Sequence, residues 1–231
     1  FDELTSLIDP YDYQVEALVR THAWAERSLA EVKRLRKARP DKPYQALFGV
    51  LQGANYEDLR KQTAEFLGAM DFDGYGIGGA LEKETMAQTI KWVNQILPEN
   101  RPRHLLGISE PDDIFAAIEQ GIDTFDCVSP TRVARNGAAY TPFGRVNVRG
   151  QKYRERFEPI MENCDCYTCR HYTAAYLCHL LHARESLAGT LLSIHNERFI
   201  VKLVDDIRAS LEDGTFYEFR ETFLHKYYAK S

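Results

Sequence analysis

The 231-residue sequence has no long apolar run, little cysteine and no excess of positive charge. A membrane-spanning helix needs about 20 consecutive apolar residues, and no segment approaches that length. The first residues, Phe1-Asp2-Glu3-Leu4, contain neither the basic nor the apolar stretch of a secretory signal, so the cytoplasm is the predicted compartment. The net charge of -5 argues against binding nucleic acid by bulk charge, although it leaves room for a local basic surface.

The chain also lacks a repeat of fixed period and any low-complexity segment. It does have an apolar fraction of 44%, which can fill the core of one large domain or two small ones. Between 46 and 128, short apolar runs alternate with amphipathic stretches, the pattern of parallel βα units. The predicted strands are 46–51, 74–77, 104–108 and 124–128, and the predicted connecting helices are 56–70, 83–97 and 111–120.

After 128 this alternation stops. A turn-rich stretch at 138–150 precedes a cysteine cluster, and apolar helices are predicted at about 171–184, 185–191 and 195–211, followed by an aromatic-rich helix at 216–228. Asn55 and Ser109 stand just before acidic first turns and predict the starts of two earlier helices. The sequence therefore predicts an α/β part followed by a mainly helical part.

Polar residues or glycines stand at the carboxyl-terminal tip of every predicted strand, at Gln52-Gly53, Gly78-Gly79, Gly107 and Asp126-Cys127. Ligands of parallel α/β proteins bind at the carboxyl ends of the strands, so these positions are candidates for a site. A glycine there is also the ordinary turn residue, which is an equal reading for Gly53 and Gly107. The Gly78-Gly79 pair additionally lets a planar ligand approach the backbone.

Three of the five cysteines stand within six residues, at Cys164, Cys166 and Cys169. Their spacing favours a metal over disulfides and supplies three corners of a tetrahedral zinc site; the alternative is a set of ordinary buried thiols. The fourth ligand is open between His195 and three nearer histidines, His171, His179 and His182.

Arg132 and Arg135 form a basic pair in a stretch punctuated by proline and glycine, which is read as a loop. Arginines in a loop are less easily explained as the solvated surface of a helix, so this pair is the preferred candidate for a local basic surface.

The run from Asp123 to Gly137, DTFDCVSPTRVARNG, closely resembles the signature of the tRNA-guanine transglycosylases. FGVLQG at 48–53, GIGG at 76–79 and the Cys-x-Cys-x-x-Cys with a distal histidine match the same family in the same order. The resemblance covers the chain from end to end and is most similar to the bacterial branch.

This resemblance implies the C-terminal half of a (β/α)8 TIM-type barrel with a zinc-binding insertion and C-terminal helices. It also implies exchange of guanine at the wobble position of the tRNA anticodon for a 7-deazaguanine base, in queuosine biosynthesis, through a covalent aspartyl-ribose link. Asp126 matches the nucleophile. A carboxylate suits that role, as in retaining glycoside chemistry, and the alternative is an aspartate that caps the next turn.

The same resemblance assigns the remaining site residues. It implies a base pocket that includes Asp2, Gln52, Gly78, Gly79 and Leu106, although Leu106 is equally a residue of a barrel core. Glu84 or the carbonyl near Ala80 is the candidate acceptor for an exocyclic ammonium group on the base. It assigns Arg132 and Arg135 to the anticodon loop, and it selects His195 to join Cys164, Cys166 and Cys169 on a structural zinc ion. The partners implied are tRNA, the 7-deazaguanine base and a second copy of the chain.

The sequence departs from the family pattern in two respects. Only four strands are readable where a closed barrel needs eight, so the segment resembles the C-terminal three-fifths of a family member, lacks the general base and is expected to be inactive by itself. Residues 1–140 are assigned to the half-barrel and 141–231 to the zinc-binding subdomain and terminal helices. The residues at 80–84 also differ from the commoner bacterial pattern. The identity of the incoming base therefore stays undecided between the aminomethyl precursor and queuine.

Two other functions are compatible with the residues. One is a non-catalytic zinc-binding subunit or fragment that holds a partner chain. The other is a zinc hydrolase, which requires an open coordination position and fails if four protein ligands fill the metal.

Overall fold

The computed structural model describes residues 1–79 and 82–229 and divides the chain into two compact units, Phe1–Asp126 and Cys127–Ser231. The strands are β1 (Phe48–Leu51), β2 (Gly74–Ile77), β3 (Arg103–Leu106), β4 (Thr124–Asp126), β5 (Ala138–Thr141) and β6 (Gly144–Asn147). The helices are α1 (Tyr11–Ala38), α2 (Glu57–Gly68), α3 (Lys83–Asn94), α4 (Pro111–Glu119), α5 (Ser129–Arg135), α6 (Tyr167–His171), α7 (Ala174–His182), α8 (Ser186–Glu212) and α9 (Phe216–Tyr228). None of the described helices is long and apolar enough to cross a membrane.

The first unit contains a four-stranded parallel sheet in the order β1-β2-β3-β4, which confirms the predicted parallel α/β part. Helices α2, α3 and α4 provide the three crossovers, as the alternation of apolar runs and amphipathic stretches predicts. Leu51, Tyr75, Ile77 and Leu105 on one face of this sheet are almost fully buried in the same apolar cluster as residues of α2 and α3. The other face carries the strand-tip residues.

The N-caps of α2 and α4 lie one residue after the capping positions that the sequence suggests. Tyr56 and not Asn55 precedes α2, and Glu110 and not Ser109 precedes α4. Pro111 occupies the first turn of α4, where its missing N–H costs no intrahelical hydrogen bond. Asp112 and Asp113 follow it and interact favourably with the positive end of the helix dipole.

The second unit begins at Cys127, before the boundary that the sequence suggests at 140/141. Asn196, fully buried on α8, gives the reason. Its side-chain nitrogen donates to the carbonyl oxygens of Pro130 and Ala138, and its side-chain oxygen accepts from the N–H of Tyr140. These bonds join α5 and the antiparallel β5–β6 hairpin to α8, so residues 127–140 pack with the helical part.

Helix α8 runs without interruption from Ser186 to Glu212, so the prediction of two helices at 185–191 and 195–211 was wrong. No glycine or proline stands between those two segments, and Ser193 bonds its hydroxyl to the Gly189 carbonyl within the helix at 2.7 Å. The polar residues in this stretch therefore continue the helix. The C-terminal helix α9 is present at the predicted position.

Candidate functional site

The strand-tip residues lie on one face of the parallel sheet because side chains alternate between faces along each strand. The register pairs His104 with Thr124 and Leu106 with Asp126 across β3 and β4. It also pairs Gly76 with His104 across β2 and β3. The last row of this face, at the carboxyl ends of the strands, consists of Gln52, Gly78, Leu106 and Asp126.

Glycines leave the space in the middle of this row. A Cβ atom on Gly78 would lie 3.1 Å from Leu106 Cδ1 and 3.2 Å from Gln52 Nε2. Gly79 has a φ of +94°, and a Cβ there would lie 2.8 Å from Gln52 Oε1 and 2.9 Å from Nη2 of Arg60. Both the backbone conformation and the close neighbours therefore require glycine at 79.

Gln52 is buried at one end of the row, with 3% of its surface exposed. Its Nε2 donates a 2.6 Å hydrogen bond to Oδ2 of Asp2, which comes from the beginning of the chain. Its Oε1 has no hydrogen-bond partner among the described residues. An oriented, buried acceptor with no partner is suited to read a donor on a ligand.

Arg60 on α2 lies fully buried behind these residues and ties two strand tips together. Its guanidinium donates to the carbonyl oxygens of Ala54 at 2.7 Å, Gly78 at 2.8 Å and Leu51 at 3.3 Å. Burial lowers the pKa of Arg60 to about 9. Nε and Nη1 of the guanidinium make these bonds and thereby hold the loops that carry Gln52 and Gly79, while Nη2 has no hydrogen-bond partner among the described residues.

Asp126 ends β4, and its side chain is 60% exposed on the same face of the sheet. Its Oδ1 lies 3.0 Å from Nε2 of His104 and accepts a longer bond, 3.4 Å, from the N–H of Gly107. His104 Nδ1 lies 2.8 Å from the hydroxyl of Thr124. An accessible carboxylate at a strand end is the arrangement that nucleophilic attack on a bound ligand requires.

Of the remaining predicted pocket residues, Leu106 is the one that a described contact places at the site. Leu106 is 39% exposed and lies against Gly78, where an apolar surface can support a flat ring. Glu84 lies exposed in the first turn of α3, and no described contact joins it to Gln52 or Gly79. Ala80 lies outside the described residues. The structure thus brings together Asp2, Gln52, Gly78, Gly79 and Leu106.

Arg132 and Arg135 lie on the short helix α5, so their expected placement in a loop was wrong. Pro130 is at the start of this helix, where proline is tolerated, and does not break it. The three-residue spacing puts both arginines on one side of the helix, and both are exposed.

The second unit gathers Cys164, Cys166, Cys169 and His195 into one buried cluster, with their ligand atoms all within 4.8 Å of one another. The three sulfurs lie 3.6, 3.7 and 3.3 Å from Nδ1 of His195. Nε2 of His195 bonds the carbonyl oxygen of Tyr140 at 2.8 Å, which leaves Nδ1 free to act as a ligand. Cys166 caps α6, so the helix start sets the spacing of the last two cysteines.

These distances fit a tetrahedral ion. Zinc–sulfur bonds of about 2.3 Å and a zinc–nitrogen bond of about 2.0 Å at tetrahedral angles separate each sulfur from the nitrogen by about 3.5 Å. Hydrogen bonds from Cys164 and Cys169 lower the pKa of Cys166 to about 3, and contacts with Cys164 and Cys166 raise the pKa of Cys169. Three thiolates held this close together would repel one another, and a bound cation would offset that repulsion.

A profile of the family described as queuine tRNA-ribosyltransferase matches residues 1–229. The chain belongs to this family. It is 46% identical over 232 aligned residues to the queuine tRNA-ribosyltransferase of Symbiobacterium thermophilum, covering 99% of this chain and 56% of that protein. It is 44% identical to the enzyme of that name from Pediococcus pentosaceus and 45% identical to that from Streptococcus pneumoniae, with 98% and 100% of this chain and 59% and 60% of those proteins covered.

The chain thus spans less than two thirds of the length of these queuine tRNA-ribosyltransferases. Within it, sequence reasoning missed two residues of the site, His104 and Arg60. Period-two alternation signals His104, which stands two residues before Leu106 on the same strand face. Nothing in the sequence signals Arg60, because an arginine on an amphipathic helix is ordinarily a surface residue.

Proposed function

We propose that the protein carrying this chain is a tRNA-guanine transglycosylase that exchanges guanine at the anticodon wobble position for a 7-deazaguanine base. The observation that carries the proposal is the row of Gln52, Gly78, Leu106 and Asp126 at the carboxyl ends of four parallel strands. This row combines a side-chain amide that can hydrogen-bond to a base, a glycine that leaves the backbone accessible, an apolar side chain that can pack against a ring, and an accessible carboxylate. Membership of the family supports the same reaction.

In the proposed reaction Asp126 attacks the anomeric carbon of the ribose as guanine leaves, and the incoming base then displaces the carboxylate. Two displacements at one carbon return the original configuration, as in retaining glycoside chemistry. The exposure of Asp126 supports this role, since a carboxylate that only capped a turn would be turned toward backbone N–H groups. The bond to Gly107 N–H is the one such contact described, and it is long, at 3.4 Å.

The base is proposed to lie over Gly78 and Gly79, against Leu106, with Asp2 and Gln52 at its polar edge. The unpartnered Oε1 of Gln52 supports this placement because it can accept from a ring N–H or an amino group of the base. Ala80 and Glu84 remain proposed contacts to the exocyclic substituent of the incoming base. An aminomethyl substituent would need such an acceptor.

Arg132 and Arg135 are proposed to hold the anticodon loop. Their common exposed side on α5 supports this role, since a planar guanidinium binds phosphates and base edges through paired N–H donors.

Zinc is proposed to be held by Cys164, Cys166, Cys169 and His195. The match between their separations and a tetrahedral ion supports it. With four protein ligands the ion serves to stabilise the second unit, and no position is left for the activated water that a zinc hydrolase needs.

The parallel sheet is proposed to be the C-terminal half of a TIM-type barrel, with the second unit as the zinc-binding part. Four sequentially ordered parallel strands support the barrel because that order is the one a barrel repeats. On this proposal the segment alone does not catalyse exchange. Guanine exchange into tRNA by the full-length gene product and by residues 1–231 tests both points: activity in the segment would contradict the claim, and inactivity of the full-length product would contradict the function.

The full-length enzyme is further proposed to act in the cytoplasm as a homodimer. Exposed aromatic rings on the second unit support association: Tyr167 and Tyr176 are 53% and 39% exposed and both contact the ring of Tyr172. Sedimentation velocity tests the dimer, and a monomer at micromolar concentration would contradict it.

A further inference from the structure

Among the described residues, the carboxylate of Asp126 is held through one of its two oxygens. Nε2 of His104 and the N–H of Gly107 both bond Oδ1, at 3.0 and 3.4 Å. Oδ2 accepts no hydrogen bond from the part of the chain that the structure describes, and the side chain is 60% exposed. One oxygen is therefore oriented, and the other is available.

The sheet register makes this arrangement possible. His104 faces Thr124 across β3 and β4, and Asp126 follows Thr124 two residues later on the same strand face. The imidazole lies between the two side chains and reaches the hydroxyl of Thr124 with Nδ1 and the carboxylate with Nε2. The side chain of His104 is only 24% exposed.

The two partners also determine where the proton of the imidazole lies. An ionised carboxylate only accepts hydrogen bonds, so Nε2 carries the proton and donates it to Oδ1. The hydroxyl of Thr124 can then donate to Nδ1, and a neutral imidazole satisfies both contacts.

We propose that His104 is a positioning residue that fixes Oδ1 of Asp126 and presents Oδ2 to the anomeric carbon of the ribose. This proposal rests on the proposed function. Oδ2 forms the bond to the anomeric carbon while the bond from that carbon to guanine breaks, and guanine leaves with the electron pair and takes a proton from water. The incoming base then forms its bond to carbon and gives its proton to the hydroxide left from that water, and the electron pair of the carbon–oxygen bond returns to the carboxylate.

The contact from His104 fits each stage of this sequence. In the covalent intermediate Oδ1 becomes an ester carbonyl oxygen, which still accepts a hydrogen bond. The donor therefore does not have to move during the exchange, and the orientation of the attacking oxygen is set before the substrate binds.

The test compares two substitutions of His104 in the full-length gene product. His104→Leu removes the donor, whereas His104→Gln keeps a side-chain N–H near the position of Nε2. The measurement is the single-turnover rate of covalent adduct formation with tRNA in the absence of free base, together with the Kd for tRNA. We expect His104→Leu to slow adduct formation at least about tenfold with Kd changed by less than about twofold, and His104→Gln to recover most of the rate.

Two further variants keep the test decisive. His104→Asn places its side-chain N–H near the position of Nδ1, and this side chain is too short to reach Oδ1. The variant should form the adduct as slowly as His104→Leu. It also keeps a polar residue at 104 in case the leucine variant fails to fold. Thr124→Val removes only the contact between the Thr124 hydroxyl and Nδ1 of His104. It should slow adduct formation less than His104→Leu or His104→Asn does.

A normal adduct rate in His104→Leu, or equal rates in His104→Gln and His104→Asn, would overturn the proposal. The Asp126→Asn variant separates this failure from failure of the function. Loss of the adduct in Asp126→Asn with a normal rate in His104→Leu contradicts only the role of His104, whereas a persistent adduct in Asp126→Asn contradicts both.

Discussion

The side-chain amide of Gln52 donates a 2.6 Å hydrogen bond to the carboxylate of Asp2, fifty residues away in the chain. This bond fixes which end of the amide is which: Nε2 is turned to Asp2, and Oε1 is left facing Gly79 without a partner among the described residues. A pair arranged in this way has its hydrogen-bonding pattern set before a ligand arrives, which limits the bases it can accept.

Replacing Gln52 with Glu should weaken binding of the 7-deazaguanine base. The new carboxylate would face Asp2 at hydrogen-bond distance, and two like charges there oppose each other and raise the pKa of the pair. We expect at least about a tenfold rise in Kd at neutral pH. The loss should shrink as the pH falls through the raised pKa, because one proton shared by the pair restores a hydrogen bond.

Calorimetric titration of the base at several pH values measures this effect. The control is Gln88→Glu, which makes the same change on the exposed side of α3. A Kd that is equal in Gln52→Glu and Gln88→Glu would show that Gln52 does not contact the base.

Replacing Gly79 with Ala should impair the same site through sterics. The left-handed φ of +94° costs alanine about 1–2 kcal/mol, and its Cβ would lie 2.8 Å from Gln52 Oε1. Gly68→Ala is the matched control, since a Cβ there meets only ordinary contacts at 3.6 and 3.7 Å and a helix favours alanine over glycine. Base affinity should fall in the first variant and be unchanged in the second; unchanged affinity in both would place the base elsewhere.

Reversing the charge of Arg132 or Arg135 should weaken tRNA binding and reduce its dependence on salt. Each lost phosphate contact lowers the slope of log K against log salt by about 1. Filter binding between 50 and 200 mM salt measures both quantities. Arg208→Glu, at an 81% exposed position of α8, controls for the change in net charge, and equal slopes in all three variants would remove these arginines from the interface.

Removing His195 should empty the metal site, because the three cysteines alone leave one coordination position open. Nδ1 of His195 lies within hydrogen-bond distance of all three sulfurs and is the fourth ligand atom. Metal analysis of His195→Ala should show loss of zinc and a lower thermal midpoint. Cys178→Ala, which removes a buried thiol outside the cluster, should keep one zinc per chain. Full zinc content in His195→Ala would shift the assignment to His171, His179 or His182.

The strands were the most predictable part of the fold. β2 lies at the predicted positions because Asp73 and Gly78 bound a short apolar run, and a buried parallel strand needs only such a run between turn residues. Helix α8 was not predictable in the same way. The sequence predicts a break between 191 and 195, but His195 and Asn196 continue the helix and are buried, with tertiary hydrogen bonds that local sequence does not reveal.

The residues of the site also differ in how well the sequence predicts them. Gln52, Gly79 and Asp126 follow strands and were predictable from that position and from family motifs. Arg60 was not, since its burial depends on three carbonyls from two separate loops. The contact between His104 and Asp126 depends on the register of β3 against β4, which alternation along a single strand does not determine.

The most direct test of the central claim is covalent trapping of tRNA by the full-length gene product and its Asp126→Asn variant. The amide is nearly the same size as the carboxylate but is not a nucleophile, so tRNA should still bind with a Kd similar to that of the unmodified protein. The account predicts a denaturation-resistant protein–tRNA adduct with the unmodified protein and with an Asp205→Asn control, and none with Asp126→Asn. An adduct that survives the Asp126→Asn substitution would contradict it.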